Sequence, residues 1–213
     1  MNSARENILA RLKRARDNSG EIEGQSPDFT SPIYHSLDES LAVEFKKNLE
    51  LIGGKVIICQ TVHDIPAIIK SVCEEKGQTQ VFCVDPELQE YLKPELDICS
   101  NENDFLSLNI GVTGCEFLVA HLGSVLISSA QISGRRLNVF PETHIVVAQQ
   151  SQITKYLDDV LEYLRIKYKN ELPSLISNIT GPSRTADIEK TLVMGMHGPK
   201  SLIVIISGEP INN

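Results

Sequence analysis

Seven short apolar runs, rich in Val and Ile and separated by helix-forming stretches, constrain this chain more than any other feature. They fall at residues 55–59, 81–84, 108–112, 125–128, 144–148, 175–179 and 202–206. Runs of four or five such residues bounded by turn signals read as buried strands. Helix signals lie between them. Ser36 with Glu39 predicts a helix to about residue 51, ended by Gly53-Gly54. Asp64 with Pro66 predicts one to about residue 76, and Asp85-Pro86 opens a short one. Thr113 with Glu116 is a further capping-box pattern and predicts a helix over 114–121. Residues 154–168 predict a long helix with Leu157, Val160, Leu161 and Leu164 inward, and 186–194 another. Strand and helix in alternation point to an α/β domain with a parallel sheet covered by helices.

The N-terminus differs from the rest. Ser3 and Glu6 open an amphipathic helix to about residue 16, with Ile8, Leu9, Leu12 and Ala15 on one face. Its charge is +4, which leaves −12 on the remainder of a chain of net −8. Such a helix could be a membrane anchor or a transit peptide, or could pack on its own acidic domain or on a second subunit. Residues 18–32 are rich in Gly, Ser, Pro and Asp and read as a linker. The expected organisation is a basic helix with linker over 1–34 and a single α/β domain over 35–213.

The acidic balance disfavours a nucleic-acid binder, which needs a cationic surface. No apolar run approaches the length of a membrane span. The cysteines at 59, 73, 83, 99 and 115 are odd in number and form no CxxC pair. They read as buried thiols in a reducing, hence cytoplasmic, compartment, and no metal site is expected. No cofactor is named by the sequence.

Three segments could carry chemistry. In the first, a strand runs through Thr180 into Gly181, Pro182, Ser183, Arg184 and Thr185, ahead of the expected helix. Open N–H groups, two hydroxyls and a guanidinium make an anion cradle. Equally, Thr185 could be a plain N-cap with Arg184 and Asp187 paired locally. In the second, Thr113 and Glu116 stand beyond the end of a strand, where open α/β sheets bind ligands. The alternative is that Glu116 only closes its capping box. In the third, His197 sits between Gly195 and Gly198-Pro199, a candidate acid, base or anion contact or simply a loop histidine. Arg135 and Arg136 could steer an anion or an acidic partner, or be solvated. The site expected from these segments has Thr113, Gly181, Ser183, Arg184, Thr185 and Gly198 around a small anion. Glu116 and His197 are its titratable pair.

The same segments resemble a family. Gly111-Val112-Thr113, Ala120 with Gly123-Ser124, Arg135-Arg136 and Pro141 with His144-Ile145-Val146-Val147 look like the lactate-utilisation LUD domain, in its protein C form. The run from Gly181 to Glu189 and Gly195-Met196-His197-Gly198-Pro199 complete the likeness, which covers roughly residues 105–207. The resemblance implies a three-layer Rossmann-like sheet of the NagB/RpiA/CoA-transferase kind. It also implies an accessory role in oxidation of L-lactate to pyruvate, beside iron-sulfur partner proteins. Where the family usually has an acidic residue after the alanine, this chain has His121, which puts a shared catalytic mechanism in doubt. The rival readings are a free-standing isomerase, CoA transferase or folate cyclo-ligase with Glu116 as base or nucleophile, and a metabolite sensor without catalysis. A homo-oligomer is compatible with either.

Overall fold

The computed structural model describes residues 4–18, 34, 36–37, 39–101, 109–169, 171–185 and 193–208. The chain divides into two compact units, Met1–Ser36 and Leu37–Asn213. The first holds helix α1 (Ala4–Asn18), with Glu6 in its first turn and Arg16 in its last, as the helix dipole favours. Ser3 and nearly all of the expected linker lie outside the described residues.

The second unit opens with α2 (Leu41–Leu51), whose N-cap position is Ser40 rather than Ser36, with no capping bond from the Ser40 side chain. Ala42, Phe45 and Leu49 form its buried stripe, and Leu37 packs against the same core from ahead of the helix. After α2 come β1 (Lys55–Cys59), α3 (Ile65–Glu75), β2 (Gln80–Phe82), α4 (Pro86–Leu92), β3 (Asp97–Cys99) and β4 (Ile110–Thr113). Asp85 caps α4, its carboxylate accepting from the N–H groups of Glu87 and Leu88. Next are β5 (Phe117–Val119), β6 (Ser124–Ser128), β7 (Thr143–Gln149), β8 (Ile153–Thr154) and α5 (Leu157–Lys167). The series closes with β9 (Ile176–Ile179), β10 (Arg184–Thr185), β11 (Val193–Met194) and β12 (Ser201–Ser207).

Six strands form a parallel sheet in the order β1-β12-β7-β4-β2-β3. Its central strands are apolar on both faces, as a sheet covered on both sides requires. Ile145, Val147, Ile203 and Ile205 face α3 and α4. Val146, Ala148, Val204 and Ile206 face the other way, onto α2 and a second sheet of order β8-β5-β6-β9. The outer face of that second sheet packs Val119 and Leu126 against Val160 and Leu164 of α5. The α/β expectation holds: a central parallel sheet is flanked by helices.

Three local expectations are corrected. Residues 114–121 form no helix; Phe117–Val119 is strand β5, antiparallel to β6. The long helix begins at Leu157 because Thr154 is held in β8, and Leu161 is 44% exposed rather than inward. Arg184 and Thr185 pair antiparallel with Met194 and Val193, so the predicted helix does not reach 194; any N-cap role of Thr185 rests on residues outside the described ones. Residues 186–192, with Asp187, lie outside the described residues.

Candidate functional site

The loops that follow β9 and precede β12 are tied together. The Ser183 N–H donates to the Pro199 carbonyl at 2.8 Å, and the Gly195 N–H donates to the Ser183 carbonyl at 2.9 Å. The Ser183 amide is therefore engaged within the protein and not offered to an anion. Gly198 passes so close to Ser183 that a Cβ there would meet the serine Cβ at 3.2 Å. Gly181 has φ +80°, and an added Cβ would lie 3.1 Å from the Ile52 carbonyl. Only glycine gives both that backbone conformation and that approach. The Gly-Pro turn is thereby seated on the end of α2. The Arg184 guanidinium rests beside Gly53 at the same helix end, where carbonyl dipoles favour a cation.

These loops wall a cleft of about 410 Å³. Gly181, Ser183, Arg184, His197 and Gly198 line it, so five of the sequence-derived residues converge there. Arg135 enters from the loop between β6 and β7, with its Nη2 donating to Ser174 Oγ at 2.6 Å. Among the described residues no carboxylate pairs with Arg135 or Arg184. Asn138 also lines the cleft and is 2% exposed. Its Nδ2 donates to the Gly134 carbonyl at 3.0 Å, while its Oδ1 is buried without a partner among the described residues. No sequence signal marked Asn138; its importance comes from burial alone.

Glu116, Thr113 and Thr185 do not line this cleft. The Glu116 carboxylate is buried and accepts three hydrogen bonds, each of 2.6 Å: from Ser128 Oγ, Tyr168 OH and Lys167 Nζ. Burial pushes its pKa up, but the bonds from Lys167, Ser128 and Tyr168 outweigh burial and hold it below the usual carboxylate range. Burial likewise lowers the Lys167 pKa and the Glu116 partner more than reverses that. For Tyr168, burial and Glu116 both push the pKa up. The sequence could not show this cluster, because Lys167 and Tyr168 come from the far end of α5.

Thr113 is fully buried at the end of β4, and its hydroxyl shares a 2.9 Å hydrogen bond with His144 Nε2. His144 is 0% exposed, and burial pushes its pKa down to about 4. Its Nδ1 has no partner among the described residues. Among the described residues no group of three or more His, Cys, Asp or Glu is placed to hold a metal, and no helix is long and apolar enough to cross a membrane.

Comparison with known proteins places this architecture. Lactate utilization protein C of Bacillus subtilis is 36% identical over 102 residues, a stretch covering 46% of this chain and 42% of that protein. The namesake protein of Geobacillus sp. is 35% identical over 100 residues, again 46% of this chain and 42% of the relative. The match thus spans less than half the length of these relatives. A DUF162 family protein of Deinococcus radiodurans shares the fold, with a TM-score of 0.59 at 18% identity over 79% of this chain and 96% of the other. The family model described as the LUD domain matches residues 42–207, nearly the whole second unit. With sheet, loops and motif residues all inside that span, the chain belongs to the LUD domain family.

Proposed function

We propose that this chain is a lactate-utilisation protein that binds an organic anion in the cleft and serves as the cluster-free component of an L-lactate oxidation system. One observation carries the reading: Arg135, Arg184, Ser183 and His197 converge on one concave site with no carboxylate opposing the two guanidinium groups among the described residues. Guanidinium groups beside hydroxyls are the groups that bind carboxylate or phosphate. The name of its relatives supplies the metabolic setting. The iron-sulfur chemistry would reside on partner proteins, and five cysteines without a paired motif are consistent with a chain that carries no cluster itself.

The rival assignment of Glu116 as a general base is not favoured by its surroundings. A base that works near neutral pH needs a raised pKa and a free lone pair facing substrate. Glu116 instead has a lowered pKa and spends its oxygens on three internal donors.

Calorimetric titration with carboxylates tests the site. Arg135→Ala and Arg184→Ala should each weaken binding about tenfold, the loss of roughly 1.4 kcal/mol from one charge-assisted contact. Affinity unchanged in both variants overturns it. For the system, the tagged chain recovered from lactate-grown cells should bring iron-sulfur absorbance with it; a clean single chain under gentle extraction counts against the subunit role.

A further inference from the structure

We infer that the cleft takes an amphipathic organic anion at least twice the size of a three-carbon acid, and that Asn138 accepts a hydrogen bond from an N–H or O–H on that ligand. The inference rests on the anion-site reading above and narrows its ligand class.

Size is the first ground. The cleft measures about 410 Å³, within the roughly 300–1,000 Å³ typical of sites for ligands of many heavy atoms. One water occupies roughly 30 Å³ of liquid, so an acid of about six heavy atoms fills on the order of 100 Å³. Such an acid would leave most of the cleft to water. The walls indicate what fills it instead. Ile127 and Ile179 contribute from the second sheet, and Val139, Leu175, Pro182 and Pro199 from the loops. The cationic groups Arg135 and Arg184 share the same cleft, with His197 beside them. An anionic head with an apolar body matches this division.

Asn138 is the second ground and is independent of the first. Its Nδ2 is committed to the Gly134 carbonyl, which fixes the amide so that Oδ1 is the spare acceptor. That oxygen is buried with no partner among the described residues, a state that folded proteins rarely tolerate without a use for it. Oδ1 itself has no accessible surface while Asn138 lines the cleft, so a ligand donor reaches it only after loop 134–139 shifts. An acceptor waiting beside a cationic cleft selects anions that also carry a donor, because a ligand lacking one leaves Oδ1 unpaired in a dry site.

Calorimetry on the full chain tests both grounds with four probes: L-lactate, propionate, 3-phenyllactate and 3-phenylpropionate. The expected order has 3-phenyllactate at least tenfold tighter than L-lactate and about tenfold tighter than 3-phenylpropionate. Asn138→Leu should erase the second gap and keep the first. If that variant does not fold, the ratio of the two phenyl acids on the natural chain decides alone. Equal binding of the two phenyl acids, or of 3-phenyllactate and L-lactate, overturns this inference and leaves the anion site standing. Failure of all four to bind overturns the anion site and the inference together.

Discussion

At the scale of single residues, the polar groups buried in this protein divide into those with partners and those without. Glu116 is of the first kind. Removing one donor leaves a buried carboxylate short of a bond, although Lys167 is 54% exposed and partly screened by solvent. Lys167→Met should therefore cost about 1–2 kcal/mol in urea denaturation at pH 7. The folded Glu116 pKa lies below its unfolded value, so the stability it provides is present above about pH 4.3 and is lost as pH falls through the folded pKa. The penalty of Lys167→Met should accordingly shrink in acid; a constant penalty down to pH 3 would count against the network. His144 belongs to both kinds: its Nε2 shares a hydrogen bond with Thr113, and its Nδ1 has no partner among the described residues. Its folded pKa of about 4 lies below the unfolded 6.5, so its contribution is intact above pH 6.5 and is lost as pH falls toward 4. On the order of 3 kcal/mol is at stake at about 1.4 kcal/mol per pH unit. His144→Gln should flatten the stability profile between those two pH values.

At the scale of elements, the segment 113–124 shows how tertiary contacts override a local pattern. Thr113 and Glu116 have the spacing of a capping box, yet each is claimed elsewhere: Thr113 by His144, Glu116 by Lys167, Tyr168 and Ser128. Without its cap the segment follows the β preference of Phe117 and Val119 and joins β6. The turn after β5 is then fixed by α2. Asn48 Nδ2 donates to the Ala120 carbonyl at 2.9 Å, and Gly123 passes directly beneath the helix. A Cβ on Gly123 would lie 2.2 Å from the Leu49 backbone nitrogen, and φ is +59°. Gly123→Ala should thus cost more than about 3 kcal/mol, from clash and left-handed strain together, read as a drop in thermal midpoint. Gly123 reads here as a packing device. His121 is in edge contact with the Tyr156 ring.

At the scale of the whole molecule, the second unit is layered around two sheets, and its thiols report on that layering. Cys59, Cys73, Cys83 and Cys115 are buried, and Cys99 is partly exposed. Burial raises the Cys83 pKa to about 11 and drives that of Cys115 higher still, so neither forms thiolate at neutral pH. A colourimetric thiol reagent should titrate at most one group rapidly in the native protein and all five after unfolding; several fast thiols would contradict the layered core. The sequence by itself determined β1, β2, β4, β7 and β12 of the parallel sheet, helices α2, α3 and α4 and the loops that converge on the cleft, because each is written in local periodicity and turn chemistry; β3, three residues long, left no such pattern. Gly181, Ser183, Arg184, His197 and Gly198 were legible for that reason. The second sheet was not, since β5 is only three residues long and its polar flank imitates a helix start. The partners of Glu116, the orphaned oxygen of Asn138 and the absence of Thr113 from the cleft were decided only by the tertiary structure. Each depends on which distant chain segment arrives beside a buried polar atom, and no local pattern encodes that arrival.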